Sequence, residues 1–377
     1  MRVADSGGRA TGMTYRLIIR VVQAPYSRRK AHAPVAVEAN SVPPRAILLV
    51  KTSSLGDVVH NLPVVSDLHR VYPDAHIDWL VEEGFADIPR LHPAVRRVMP
   101  VALRRWRKAL LRAQTWREIA ACRRTLRLEA YDVVLDTQGL IKSGLLVSQA
   151  HLATNGWRCG YAREAAREPL AAQFYDAGFA IPKNVHAVER NRWLAAATFG
   201  YTPDMPLDYG LSGIPALSPS GSGHWLAAGA YAVLLTATSR DDKLWPEERW
   251  LKLMAALAAR GLRCILPAGA AQERARAQRL VDDAGGPLPG IVAPPLSIAE
   301  LAGLCAGAQL VVGLDTGLTH LATALGRPTL ALFCGSDPQL TGVYAGDPPT
   351  SRVRNLGAAG AAPTAAEVIA ATLAMLD

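Results

Sequence analysis

From Ala46 onward, short apolar runs alternate with helical patterns, and this alternation leaves few folds open to the chain. Strands joined by helices are typical of parallel sheets, because a parallel connection needs a crossover of about a dozen residues or more. The sequence therefore predicts an α/β protein with two doubly wound sheets. The predicted strands are residues 46–51, 76–81, 96–100, 131–136 and 157–161, then 231–236, 263–267, 291–292, 310–314 and 329–333.

Residues 211–223 separate the two series of strands and are rich in Gly, Pro and Ser, as linkers are. We therefore expect a first domain over 45–210 and a second over 224–377, with a cleft between them. A length of 377 residues suits two domains of about 100–200 residues each. Residues 1–44 show no helical or strand periodicity, so we expect a disordered extension or a wrongly assigned start site there.

Composition and charge exclude several classes of protein. No stretch reaches the roughly 18–20 apolar residues of a membrane-spanning helix. Five widely spaced cysteines fit neither a disulfide framework nor a zinc site, which indicates a reducing cytoplasm. Residues 1–44 hold +5 of the formal charge of +9, so the remainder lacks the charge excess typical of nucleic-acid binding.

Several motifs with known chemistry are absent from the sequence. There is no G-x-G-x-x-G after a strand, no Walker A loop, no H-E-x-x-H, no C-x-x-C and no G-x-S-x-G. There is also no Asp-x-Asp, the acidic pair that holds a metal against a diphosphate in many metal-dependent transferases. We expect a mechanism that needs neither a metal nor a cofactor.

A polar loop follows the first predicted strand and leads directly into a helix. It reads Lys51-Thr-Ser-Ser-Leu-Gly-Asp57. Gly56 allows another group to approach the backbone closely, and Asp57 lies near a helix start, where the helix dipole stabilises negative charge. Two interpretations stay open: Asp57 caps the helix, or it is a general base at the cleft.

The loop after the predicted strand 310–314 also opens a helix, and it reads Asp315-Thr-Gly-Leu-Thr-His320. The amides of Thr316 and Gly317 then lie at a helix N-terminus, which favours phosphate oxygens. His320 either faces the same ligand or is a structural histidine. Asp315 would repel a diphosphate, so we expect it to orient backbone amides or to accept from a sugar hydroxyl.

Two further loops of the second domain carry polar side chains. Thr238, Ser239 and Lys243 precede a helix start and suit a phosphate. The alternative is a solvated loop in which Lys243 pairs with the two adjacent aspartates. Glu273 follows a turn that contains glycine, and it is a candidate acceptor for ribose hydroxyls.

A strongly basic segment precedes the strand at 131–136, and its pattern predicts a single helix. Only Glu118 and Glu129 oppose its charge. Such a run is usually a solvated helix face, but its density favours an anionic acceptor or an anionic membrane surface. The nine basic residues are Arg104, Arg105, Arg107, Lys108, Arg112, Arg117, Arg123, Arg124 and Arg127.

From Ala46 to the C-terminus, eight motifs in order make the chain resemble the lipopolysaccharide heptosyltransferase I proteins of glycosyltransferase family 9. The motifs are Lys51-Thr-Ser-Ser-Leu-Gly-Asp57, Val81-Glu-Glu-Gly-Phe85, Arg104-Arg-Trp-Arg-Lys108, Asp136-Thr-Gln-Gly-Leu-Ile-Lys142, Ala166-Arg-Glu-Pro-Leu170, His186-Ala-Val-Glu-Arg190, Arg240-Asp-Asp-Lys-Leu-Trp-Pro246 and Asp315-Thr-Gly-Leu-Thr-His320.

The resemblance implies a GT-B type fold, in which two Rossmann-like domains face each other across a cleft. It also implies an inverting transfer of L-glycero-D-manno-heptose from ADP-heptose to the first Kdo of Kdo2-lipid A. A protein with that acceptor is expected to be cytoplasmic and held peripherally on the inner membrane by its anionic surface. Asp57 matches the family's base. The basic residues expected to meet the acceptor are Arg104, Arg105, Arg107 and Lys108.

The donor contacts implied by the resemblance all lie in the second domain. They are Thr238, Ser239, Lys243, Glu273, Leu296, Asp315, Thr316, Gly317 and His320. Ser239 and Leu296 stand where the family has Thr and Met, and these exchanges keep the hydroxyl and the apolar volume.

Two alternatives to this function remain open. The first is another GT-B nucleotide-sugar transferase or a sugar-nucleotide epimerase, which a screen of donors would distinguish. The second is a non-catalytic binder of RNA or anionic lipid built on the basic segment, which predicts steep salt dependence and no release of ADP.

Overall fold

The computed structural model describes residues 43–218, 221, 223–226, 229–238, 240–285, 288, 290–346 and 350–377. The expected extension over 1–44 lies outside the described residues as far as residue 42. Ser239 and three residues of the expected linker lie outside them as well.

The chain forms two compact units. The first contains the described residues up to Ser53, together with Pro63–Ala86 and Ala94–Met205. The second contains Ser54–Leu62, Asp87–Pro93 and Pro206–Asp377. The short segment that carries Asp57 therefore groups with the second unit, although it follows the first strand of the first unit.

Each unit contains a parallel sheet of six strands. The first sheet is formed by β1 (Ala46–Val50), β2 (His76–Glu82), β3 (Val95–Val101), β4 (Tyr131–Asp136), β5 (Leu152–Tyr161) and β6 (Ala177–Phe179). The second is formed by β7 (Tyr231–Leu235), β8 (Arg263–Leu266), β9 (Ile291–Val292), β10 (Leu310–Leu314), β11 (Thr329–Phe333) and β12 (Val353–Gly357). The orders are β3-β2-β1-β4-β5-β6 and β12-β11-β10-β7-β8-β9. Both correspond to the strand order of Rossmann-type sheets, so the predicted α/β class with two doubly wound sheets is confirmed.

The central strands were predictable because both of their faces are covered. Every residue of β1, β7 and β10 is buried, and strands buried on both faces have continuous apolar sequences. The sequence patterns missed β6 and β12, which are edge strands. β6 reads Ala-Gly-Phe, without the β-branched residues that are common in strands, and β12 is partly exposed along its length.

The helices among the described residues are α1 (Leu55–Val59), α2 (Leu62–Val71), α3 (Asp87–Arg90), α4 (Leu103–Lys108), α5 (Ala113–Leu126), α6 (Ile141–Val147), α7 (Ala187–Phe199), α8 (Glu247–Ala259), α9 (Ala271–Ala284), α10 (Ile298–Gly307), α11 (Gly317–Ala324) and α12 (Ala365–Leu376). Short 3₁₀ turns cover Glu83–Phe85, Pro169–Phe174 and Asp241–Lys243. The prediction of one basic helix before β4 is wrong, because a turn at 109–112 divides it into α4 and α5.

Each unit has its own hydrophobic core, in which helices cover the faces of its sheet. In the second unit, Trp245 and Trp250 pack edge to face, with ring centroids 5.0 Å apart. None of the helices described here is long and apolar enough to cross a bilayer.

Candidate functional site

The strand order reverses between β7 and β10, which are neighbours in the second sheet. Ligands of doubly wound sheets bind beyond the carboxyl ends of the strands at such a point. The loop after β7 leads to Lys243, and the loop after β10 begins with Asp315. The topology therefore brings together two loops that are 72 residues apart in sequence.

Asp315 is the centre of a polar cluster at this position. Its Oδ2 accepts hydrogen bonds from Lys243 Nζ at 2.5 Å and from Ser336 Oγ at 2.6 Å. Its Oδ1 lies 3.8 Å from Nε2 of His320, an electrostatic contact rather than a direct hydrogen bond. Burial raises the pKa of Asp315, but its interactions with His320, Lys243 and Ser336 outweigh that effect and hold the pKa well below its usual range. Asp315 is therefore a negative charge that fixes the Lys243 ammonium.

The alternative in which Lys243 pairs with the adjacent aspartates is not what the structure shows. Asp242 instead forms a bidentate ion pair with Arg240. Lys243 is partly buried, and its partner is Asp315. A lysine ammonium has three N–H donors, so this pairing is compatible with a second, anionic partner.

The helix α11 begins where the sequence predicts. Thr316 is its N-cap, with extended backbone angles, and Gly317 is its first residue. The first amides of a helix have no partner within it and carry the positive end of its dipole. A side chain at position 317 would collide with Leu55 of α1, so glycine allows the two helices to approach closely. The N-terminus of α11 suits a phosphate.

His320 lies in the first turns of α11 and is buried. Its Nδ1 is 3.0 Å from Nε2 of His60, and the two rings pack edge to face. The ring of His320 is also the group that approaches Gly56, since a Cβ at that position would lie 3.1 Å from its Cδ2. The side chains of His60 and His320 thereby join α1 to α11 within the second unit.

Asp57 is the third residue of α1, and its carboxylate caps that helix. Its Oδ2 accepts from the backbone N–H of Ser54 at 2.8 Å and from Ser54 Oγ at 3.0 Å. The contact from the Ser54 N–H is the part of a capping box that the N3 carboxylate makes. The cap interpretation therefore has direct support for one oxygen of Asp57, while the role of the residue as a base stays a prediction.

Three of the remaining predicted donor residues lie near the carboxyl ends of strands of the second sheet, Thr238 and Leu296 in loops and Glu273 in the first turn of α9. Thr238 follows β7, and Leu296 follows β9 and is partly buried. Glu273 uses Oε2 to accept from the amides of Gly269 and Ala270 at 2.9 and 3.0 Å, and thereby caps α9. Its proposed contact with a ribose would have to involve the other oxygen. Ser239 lies outside the described residues.

In the first unit, the basic residues surround an open hollow of about 560 Å³. The guanidinium of Arg104 lies 5.1 Å from the centre of the Phe85 ring, within cation–π distance. Arg105 pairs with Glu83 and Glu118, so its charge is already balanced. The lining residues are Glu82, Glu83, Gly84, Phe85, Arg104, Arg105, Lys108, Ala109 and Arg112. Arg107 is exposed and does not line the hollow.

A network of buried and half-buried side chains supports the start of the loop that leads to Asp57. Gln138 Oε1 accepts from the amides of Thr52 and Ser53 at 3.0 and 3.1 Å. Lys51 donates from Nζ to the carbonyl of Thr137 at 2.8 Å, and Lys142 donates to Ser53 Oγ at 3.1 Å. These contacts explain why the loop after β4 needs polar residues although it follows a buried strand.

Some residues of these sites carried no assigned role at the sequence level. No sequence motif points to Ser336 or His60, since each contacts a site residue that is distant in sequence, Asp315 and His320 respectively. Phe85 had a weak signal, an aromatic side chain beside glycine and two glutamates after the carboxyl end of β2. Together the second unit offers a fixed ammonium and a helix N-terminus, a set that suits a negatively charged phosphate ester.

Comparison with known proteins gives consistent matches. The family model described as glycosyltransferase family 9 (heptosyltransferase) matches residues 119–366. Lipopolysaccharide heptosyltransferase 1 of Escherichia coli K12 is 45% identical over 304 residues, which cover 79% of this chain and 90% of that protein.

Two solved structures from Escherichia coli are similar throughout most of their length. Heptosyltransferase WaaC with ADP has a TM-score of 0.76 at 42% identity and covers 86% of this chain and 97% of its own. WaaC with ADP-2-deoxy-2-fluoro heptose has a TM-score of 0.70 at 42% identity, and the match covers 84% of this chain and 94% of that one.

Proposed function

Since the chain belongs to glycosyltransferase family 9, the heptosyltransferases, we propose that it transfers L-glycero-D-manno-heptose from ADP-heptose to the first Kdo of Kdo2-lipid A. Membership of the family makes it a glycosyltransferase that acts in lipopolysaccharide core biosynthesis. The identity of the acceptor, the inversion at the sugar carbon, the independence from metal and the roles of individual residues are parts of the proposal.

The cluster of Lys243, Asp315 and the α11 N-terminus is the observation that carries the proposal for the donor. The departing ADP gains negative charge as the bond between the anomeric carbon and the phosphate oxygen breaks. A fixed ammonium and preorganised amides stabilise such charge more strongly in the transition state than in the ground state. These groups supply the positive charge that a metal would otherwise bring to the diphosphate.

Asp57 is proposed as the general base. It would take the proton from the acceptor hydroxyl while that oxygen forms a bond to the anomeric carbon, and ADP leaves with the bonding electrons. Attack from the side opposite the leaving group inverts the sugar carbon. The two hydrogen bonds from Ser54 support this role, since they hold the carboxylate in a fixed orientation.

The hollow of the first unit is proposed to receive the acceptor. Kdo carries a carboxylate and lipid A carries phosphates, and both are anions that suit Arg104 and Lys108. Arg105 is paired with two glutamates, so we propose that it shapes the hollow and contributes less net charge. The exposed basic residues on α4 and α5 support peripheral attachment to the cytoplasmic face of the inner membrane.

The test is incubation of the purified chain with ADP-heptose and Kdo2-lipid A, followed by measurement of ADP and of the mass of the lipid. We expect one ADP per heptose added. Transfer from UDP-glucose or GDP-mannose at a similar rate would contradict the assignment of the donor. Conversion of the donor without an acceptor would favour an epimerase.

A further inference from the structure

The turn between α4 and α5 exposes an unusual concentration of apolar side chains. Leu111 is fully exposed, with a relative accessibility of 103%, while Leu110 and Trp116 are exposed by 48% and 58%. Of the seven large apolar side chains exposed in the described part of the chain, these three lie within seven consecutive residues. We refer to residues 110–116 as the apolar elbow.

Hydrogen bonds hold the apolar elbow in this shape. Trp116 donates from its indole N–H to the carbonyl of Leu110 at 2.8 Å, and Thr115 donates from Oγ1 to the carbonyl of Ala109 at 2.8 Å. The neighbouring Trp106 is buried and donates to Glu118 at 2.7 Å. The polar atom of Trp116 is therefore satisfied within the elbow while its ring faces outward, so the exposure is built into the fold.

The segment that contains the apolar elbow is basic, and the neighbouring Glu118 is already paired with Arg105. Residues 103–117 contain six basic residues and no acidic residue, and all six are exposed. Leucine and tryptophan bordered by arginine and lysine are typical of segments at a membrane interface, where apolar groups enter the acyl boundary and cations meet lipid phosphates. Water is a poor environment for such a surface, and an anionic bilayer complements both its charge and its apolar side chains.

We propose that the apolar elbow inserts into the interfacial layer of an anionic phospholipid bilayer, with Leu111 as its deepest side chain. This inference rests on the proposed function for its purpose, because Lys108 beside the elbow and Arg112 within it also line the hollow assigned to the acceptor. Insertion would hold the hollow at the level of lipid headgroups, where an acceptor anchored in the bilayer presents its sugars.

The test measures binding of the whole chain to vesicles that contain neither donor nor acceptor. Vesicles of phosphatidylethanolamine and phosphatidylglycerol are compared with vesicles of phosphatidylcholine by co-sedimentation. We expect Leu111→Asp to weaken binding to the anionic vesicles about tenfold or more, because a charge replaces an inserted leucine. Leu145→Asp is the matched control, since Leu145 is 52% exposed on α6 outside the elbow, and it should bind like the unmodified protein.

A second measurement reports insertion directly. Lipids brominated on their acyl chains should quench the tryptophan fluorescence of the unmodified chain, and Trp116→Phe should lose most of that quenching while still binding. Equal binding by Leu111→Asp and the unmodified chain, or quenching that survives Trp116→Phe, would overturn the proposal. So would concentration-dependent dimers that Leu111→Asp abolishes in the absence of lipid, because the elbow would then be a contact between copies.

The experiments distinguish a wrong proposal for the apolar elbow from a wrong proposal for the function. Transfer to an acceptor dispersed in detergent should be the same for Leu111→Asp and the unmodified chain, and only transfer to acceptor in vesicles should fall. Absence of transfer to either acceptor, together with vesicle binding that depends on Leu111, would refute the function and support the elbow.

Discussion

Asp57 can be tested in a way that separates a base from a helix cap. The substitution Asp57→Asn retains an oxygen that can accept from the backbone N–H of Ser54, so much of the cap survives. It removes the basicity of the side chain. Ser54→Ala is the matched control, because it deletes the hydroxyl that donates to Asp57 and leaves the carboxylate in place.

The two roles predict effects of different size on different quantities. Loss of a general base lowers kcat by about 10²–10⁴, which corresponds to about 3–5 kcal/mol of transition-state stabilisation. Loss of a helix cap costs about 0.5–2 kcal/mol of folding stability and has no direct effect on the chemical step. We therefore expect Asp57→Asn to lose at least about a hundredfold in kcat, and Ser54→Ala to lose mainly thermal stability.

The assay is ADP release at saturating donor and acceptor, with Tm measured on the same preparations and binding of ADP measured by calorimetry. Asp57→Asn should bind ADP with nearly the affinity of the unmodified chain, because the groups proposed to hold ADP are untouched. If Asp57→Asn keeps kcat within about tenfold of the unmodified chain and shifts Tm as Ser54→Ala does, Asp57 is a cap and the proposed base is refuted.

Lys243→Ala should lower kcat/KM for ADP-heptose strongly, whereas the control Lys252→Ala, which removes an exposed lysine of α8, should not. Steady-state kinetics with varied donor concentration measure both values, and equal kcat/KM for the two variants would refute the contact between Lys243 and the diphosphate. The double variant Arg104→Gln/Lys108→Gln should raise KM for the acceptor and make that KM less dependent on salt, while KM for the donor stays constant. A raised KM for the donor with an unchanged KM for the acceptor would assign the hollow to the donor. Asp315 has a folded-state pKa below its ordinary value, so the stability it contributes is complete above that ordinary pKa and is lost as the pH falls below it toward the folded value. In urea unfolding, the difference in free energy between the unmodified chain and Asp315→Asn should therefore shrink from about pH 6 to about pH 3, and a constant difference would contradict the coupling.

The sequence by itself determined the central strands of both sheets and where those strands end. Strands such as β1 and β10 are covered on both faces, so their residues must all be apolar, and that requirement is readable without a structure. The start of α11 was equally readable, because Thr316 and Gly317 have the local properties of a helix N-terminus. Edge strands such as β12 were not predicted, because a strand that is partly exposed to water need not be apolar throughout.

Only the tertiary structure decided which side chains meet. Lys243 pairs with Asp315 rather than with its neighbours, and His60 meets His320 across 260 residues. Neither pairing has a local signature. The first depends on the strand order that brings the loops after β7 and β10 to one edge of the second sheet, and the second depends on the packing of α1 against α11. The break between α4 and α5 is similar, since no glycine or proline marks it and the buried Trp106 and its bond to Glu118 hold the turn. Local sequence specifies which secondary structure a segment can form. Long-range packing specifies which side chains it contacts, because contacts between residues distant in sequence exist only once the chain is folded.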